Sequence, residues 1–170
     1  MPNKNPPAFT GLILVSGEDH PGITQRLMSA LAQFAITILD IEQLIIRDRL
    51  VLTVLITLDQ AHAQAISDEL KVLEKEIGLD IAIDFEQQEQ KSQEAESLRV
   101  VIIGDGLKPT GLAAVAAEIA NLNGNITAIR RTATAPVTAI ELDLTISNHS
   151  IKEVQRALAS VAIASQIDLA

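Results

Sequence analysis

The sequence predicts an α+β protein made of two tandem βαββαβ units. Three observations lead to this. In each half, strand-like stretches are interleaved with two apolar stripes of helical spacing, and the third strand-like stretch alternates apolar residues at every second position. The order repeats in register: adding 88 takes Pro21 to Pro109, Thr37 to Asn125, Val54 to Leu142 and Leu70 to Leu158, as expected of a duplicated unit. Between the copies, Glu86 to Ser97 (EQQEQKSQEAES) holds one Ala and otherwise only polar or charged residues. Two helices on one side of a four-stranded antiparallel sheet, in this order, make the ferredoxin-like arrangement.

Residues 1–8 are polar, carry three prolines and read as a flexible tail. Phe9 to Ser16, with the apolar run Leu12 to Val15, reads as a strand. Pro21 fits the first position of a helix running to Phe34, with Ile23, Leu27, Leu31 and Phe34 on one stripe. Thr37 to Arg47 is rich in β-branched residues and reads as a strand. Asp48-Arg49 reverses the chain into a strand from Leu50 to Leu58, whose even-numbered residues are all apolar. A second helix spans His62 to Ile77, with Ile66, Leu70, Leu73 and Ile77 inward and Gly78 as its stop. Leu79 to Phe85 is the fourth strand. The first unit is thus 9–85, the linker 86–97 and the second unit 98–170.

In the second unit, Leu98 to Gly104 is a strand. Pro109 to Asn123 is a helix, with Leu112, Val115, Ile119 and Leu122 inward. Asn125 to Thr134 and Val137 to Ser147 are strands; the latter sets Ile140, Leu142, Leu144 and Ile146 on one face and Glu141 and Asp143 on the other. Ser150-Ile151-Lys152-Glu153 has the form of a capping box. It opens a helix whose stripe is Ile151, Val154, Leu158 and Val161. Asp168-Leu169-Ala170 matches Asp80-Ile81-Ala82, so the chain is expected to stop within its last strand, as a shortened chain would.

Composition excludes several function classes. The net charge is −9, with 13 Lys+Arg against 22 Asp+Glu, the wrong balance for a nucleic-acid backbone partner. Trp and Tyr are missing and Phe occurs three times, which leaves little for base stacking. No apolar run approaches the ~20 residues of a membrane span, and no secretion signal opens the chain. With no cysteine, disulfides and thiolate chemistry are excluded. A cytoplasmic protein without a membrane partner is expected.

Catalytic motifs are lacking. There is no G-x-S-x-G elbow, no Walker loop and no G-x-G-x-x-G, since Gly104-Asp105-Gly106 is followed by Pro109 where the third Gly belongs. His20, His62 and His149 have no metal-ligand spacing. Polar residues gather instead at one address in each unit, between first strand and first helix. In unit one these are Gly17, Glu18, Asp19, His20, Pro21 and Gly22; in unit two, Gly104, Asp105 and Gly106. Thr37 and Asn125, each opening the next strand, are expected beside them. Free N–H groups of a helix first turn suit a carboxylate, and Asp19, Asp105 or the Asn125 amide suits an ammonium group. Together they would hold a small amino acid. Taken singly, Asp19 is better explained by helix capping and Asn125 by a turn; the case rests on their convergence at equivalent points of the repeat.

These residues carry a resemblance. The GEDHPGI loop, the βαββαβ order and the tandem repeat look like ACT domains, the amino-acid-sensing modules of metabolic enzymes. SGEDHPGITQRL, ILDIEQLIIRDRLVL and GNITAIRR resemble more closely the N-terminal regulatory region of actinobacterial phosphoserine phosphatases, where two ACT domains precede a haloacid-dehalogenase-type catalytic domain. The resemblance implies L-serine binding where units meet, homodimerisation, and ligand contacts at Gly17, Asp19, Gly104 and Asn125. It implies Mg only for the catalytic domain, whose Asp-x-Asp motif is not in these residues; no cofactor is expected here. A free-standing tandem-ACT regulator, similar to the glycine cleavage system transcriptional repressor, is the alternative.

Overall fold

A computed structural model describes residues 8–88, 96–105 and 108–169. The chain divides into two compact units on either side of the polar stretch. Unit one runs β1 (Ala8–Glu18), α1 (Ile23–Leu31), β2 (Thr37–Ile46), β3 (Arg49–Thr57), α2 (Ala63–Ile77) and β4 (Asp80–Gln88), with a 3-10 turn at Gln60–His62. Unit two runs β5 (Glu96–Gly104), α3 (Pro109–Asn121), β6 (Asn125–Ala133), β7 (Thr138–Ile146), α4 (Ile151–Ser165) and β8 (Asp168–Leu169). The sheets are ordered β2-β3-β1-β4 and β6-β7-β5-β8. All pairs are antiparallel, the expected ferredoxin-like topology.

Period two in the strands and 3.6 in the helices meet in each core. In unit one Leu50, Leu52, Val54 and Ile56 of β3, with Ile13 and Val15 of β1, are buried under Ile23, Leu27, Ile66 and Leu70. In unit two Val100, Ile102, Leu142, Leu144 and Ile146 are buried under Val115, Ile119, Val154 and Leu158. Ile151 does not join the α4 stripe; it is 49% exposed, and Ala162 is buried further along. Ile151 is the first helical residue, where the helix has barely begun to cover the sheet. The capping box at Ser150 and Glu153 is present in both directions.

The boundaries shift in instructive ways. β4 extends to Gln88 and β5 begins at Glu96, so both ends of the stretch read as a linker are strand, and 89–95 lie outside the described residues. Backbone pairing along an exposed sheet end does not require apolar side chains. The hairpin turn is Arg47-Asp48, both at positive φ, rather than Asp48-Arg49. Pro21 is not helical: Gly22 at φ 95° is the N-cap of α1, which starts at Ile23. A left-handed residue cannot sit inside a right-handed helix. At the same place unit two has Thr110, and there Pro109 does open α3. The repeat register is 88 in the later strands, where Val54 matches Leu142, but 87 in the first, where Ile13 (opposite Val54) matches Val100 (opposite Leu142). The extra residue of unit two falls between Gly104 and Pro109.

The faces turned away from the helices differ sharply between units. In unit one this face carries Leu12, Leu14, Val51 and Leu55; Leu12 and Leu14 are 49% and 41% exposed. In unit two Arg99 takes the place of Leu12 and Asp143 that of Leu55. Asp143 accepts from Arg99 Nε at 2.8 Å and from Arg130 at 2.6 Å, and Glu141 lies 3.4 Å from Arg99. The hydrogen bonds from the two guanidinium groups hold the Asp143 carboxyl below the ordinary aspartate range. A carboxylate with a lowered folded value stabilises above its unfolded value, and that contribution disappears as pH falls through the folded value. Asp143→Asn should therefore lower the urea midpoint relative to the parent at pH 7. The difference should close as the solution is acidified below the ordinary aspartate range, and shrink in high salt.

Candidate functional site

β1 is longer than its apolar run and ends at Glu18, so Gly17 and Glu18 are strand residues paired with Leu50 and Arg49. The loop proper is Asp19 to Gly22. Its first two residues are tied to the rest of the unit. The Asp19 N–H donates to the carbonyl of Asp48 at 2.9 Å, which joins it to the β2–β3 turn. His20 Nε2 lies 3.3 Å from the carbonyl oxygen of Ile77 at the end of α2, and Nδ1 lies 3.3 Å from that of Pro21.

Beyond the loop α1 begins without a side-chain cap. Gly22 offers no side chain, and the first turn holds no acidic residue. The Arg26 N–H is the first to bond within the helix, to the Gly22 carbonyl at 3.0 Å. The N–H groups of Ile23, Thr24 and Gln25 thus precede the helical ladder, at its positive end. A cavity of about 360 Å³ opens here, lined by Asp19, His20, Pro21, Gly22, Ile23, Thr24, Gln25, Gln43, Ile45 and Leu50. One wall is loop and helix start; the other is β2 and β3. Within it, Thr24 Oγ1 donates to Gln43 Oε1 at 2.8 Å.

The structure thus brings four sequence-predicted residues, Asp19, His20, Pro21 and Gly22, around one cavity. It sets others apart. Glu18 is exposed and does not line the cavity. Thr37 pairs with Thr57, whereas Gly17 and Ile45 both pair with Leu50. Thr37 therefore lies at the far end of its own sheet, about 25 Å from the loop at ~3.3 Å per residue. Likewise Asn125 pairs with Thr145 while Gly104 pairs with Thr138. Neither residue lies beside the loop of its own unit: β2 and β6 begin at the end of the sheet opposite the loop and run back toward it. Asp105 is exposed, and Gly106 lies outside the described residues. Thr24, Gln25 and Gln43 were not singled out from sequence. Gln43 did leave a signal, as a polar residue alternating with Ile41 and Ile45.

The chain carries two ACT domains in tandem: residues 10–84 and residues 97–170 each match an ACT domain family. It belongs to that family. It is 33% identical over 167 residues to phosphoserine phosphatase SerB2 of Mycobacterium tuberculosis, covering 97% of this chain and 41% of that protein. It is 32% identical over 169 residues to phosphoserine phosphatase of Streptomyces coelicolor, covering 95% and 39%. The chain thus spans about two fifths of the length of these curated relatives. Among solved structures, a candidate glycine cleavage system transcriptional repressor superposes with a TM-score of 0.75 at 14% identity, over 96% of this chain and 95% of that one. A protein of unknown function from Galdieria sulphuraria gives 0.72 at 18% identity, over 95% of each. These two likenesses are of fold. Among the described residues, no helix is long and apolar enough to cross a membrane.

Gly17 and Gly104, matched in the repeat, differ in what holds them. Gly17 has φ 155°, and a Cβ there would collide with the buried Leu79 side chain. At Gly104 the nearest atom to an added Cβ is Ile167 Cγ2 at 3.9 Å, with no positive φ. Packing of Leu79 explains the glycine at 17 without a ligand. Gly17→Ala should cost about 1–3 kcal/mol in urea unfolding, whereas Gly104→Ala should stay within about 0.5 kcal/mol.

Proposed function

We propose that this chain is an amino-acid-sensing region of the kind that resembles the N-terminal part of phosphoserine phosphatases, with L-serine as its ligand. The observation that carries this reading is the uncapped start of α1 opening into a cavity that also holds Asp19. A zwitterion needs donors for one end and an acceptor for the other. The N–H groups of Ile23, Thr24 and Gln25 receive the α-carboxylate, and Asp19 receives the ammonium. The 33% identity to a phosphoserine phosphatase across 97% of the chain supports serine over other small amino acids, since serine is the product of that reaction.

The reading includes a homodimer. β2 is a sheet edge, and all ten of its residues are exposed, among them Ile38, Leu39, Ile41, Leu44, Ile45 and Ile46. Such an edge is a template for another strand. If a second copy pairs its β2 antiparallel to this one, its Thr37 arrives at the loop end. In that arrangement Thr37 reaches the site from the partner copy, since its own sheet holds it at the far end.

Ligand binding to the folded state alone raises stability by RT ln(1 + [L]/Kd). Serine at millimolar concentration should therefore raise the thermal midpoint, and Asp19→Ala should abolish most of the rise. A dimeric sample showing no shift with serine, glycine, alanine or threonine would reject the sensor. For the assembly, sedimentation should give twice the monomer mass at micromolar concentration, and Ile41→Lys on the β2 edge should return it to monomer. A parent chain sedimenting as monomer with and without serine would remove the dimer.

A further inference from the structure

On the reading that an amino acid occupies the unit-one cavity, we propose that Gln43 and Thr24 form a side-chain filter that selects a short, neutral ligand side chain bearing a hydroxyl. Gln43 lies on the helix-facing row of β2, between Ile41 and Ile45, opposite the buried Leu52. Thr24 lies in the first turn of α1, half-buried. Their hydrogen bond, Thr24 Oγ1 to Gln43 Oε1 at 2.8 Å, bridges the two walls of the cavity.

The hydrogen-bond inventory sets the preference. The Thr24 proton is committed to Gln43 Oε1. Two N–H donors on Gln43 Nε2 and the lone pairs of Thr24 Oγ1 remain, and among the described residues they have no other partner. A donor beside an acceptor matches a hydroxyl, which can accept from one and give its proton to the other. A methyl group covering the same spot would offer neither a partner and would displace water that hydrogen-bonds to them. A carboxylate side chain would meet the Gln43 donors but also the Thr24 lone pairs and Asp19. The cavity lining has no Lys or Arg to offset that second charge.

The repeat shows that the pair is not a requirement of the fold. At the equivalent positions unit two has Leu112 and Arg131, the latter opposite Ile140 as Gln43 is opposite Leu52. The ACT scaffold folds with an apolar residue and a cation there, so the polar pair in unit one serves something local to its cavity.

The test compares L-serine with L-alanine, which differ by the hydroxyl alone, by calorimetric titration of the full chain. The parent should bind serine about tenfold more tightly than alanine, the scale of one hydrogen bond. Thr24→Val and Gln43→Leu keep side-chain volume at exposed or half-buried positions. Each should lower serine affinity about tenfold, leave alanine within about twofold, and bring the ratio near one. Equal affinity of the parent for serine and alanine would overturn the filter. So would variants that weaken both ligands alike with unchanged thermal midpoints, which would make the pair a shaper of the cavity. If the parent binds no amino acid at all, the sensor reading fails and the filter fails with it, a result distinct from either of these.

Discussion

Each sheet has helices on one face only, and this single constraint decides most of what the protein offers its surroundings. Two helices cover the inner rows of the central strands completely: Leu52, Val54 and Ile56 of β3 and Ile13 and Val15 of β1 have no exposed surface. The helices do not cover the edge strand β2, whose ten residues are all exposed. β2 continues the apolar pattern beyond their cover, so Ile41 and Ile45 remain exposed although they point to the same side as buried neighbours. The cavity exists for the same reason. It lies between the start of α1 and β2, and the loop leading into α1 is fixed by contacts to the carbonyls of Asp48 and Ile77.

Duplication preserved the backbone and let the surfaces diverge. The two units have the same strand order and matching registers, yet the outer face of one is largely aliphatic and that of the other is crossed by Arg99, Arg130, Glu141 and Asp143. Isolated ion pairs at such exposure contribute little. A carboxylate shared by two guanidinium groups is better placed, and its cost is small because the groups stay partly in water. The aliphatic face of unit one has no such compensation. A similar divergence marks the loops: Gly22 ends the turn and delays the helix in unit one, whereas Pro109-Thr110 starts it at once in unit two.

Much of the fold was legible because it rests on periodicity. The alternation of Leu50 to Leu58 and the stripe of Ile66, Leu70, Leu73 and Ile77 each specify one face of one element, and those residues are buried. The capping box at Ser150 was legible because its partners are three residues apart. The errors share another origin. Pro21 looked like a helix start because the conformation of Gly22 is not written in its neighbours. Thr37 and Asn125 read as neighbours of the loops because each opens the next strand, yet that strand begins at the opposite end of its sheet.

The ACT class, the duplication, the core rows and the position of the polar loop follow from residue spacing or from a local motif, and so can be read along the chain. Tertiary structure alone decided which residues share the cavity. Gln43 lies 19 positions from Thr24, and Leu79 is 62 positions beyond the Gly17 it packs on; only strand pairing and helix packing bring such residues together. The register of β2 on β3 likewise sends Thr37 to the far end of its sheet. Register depends on contacts summed along a whole strand pair, and no single position in the sequence states it.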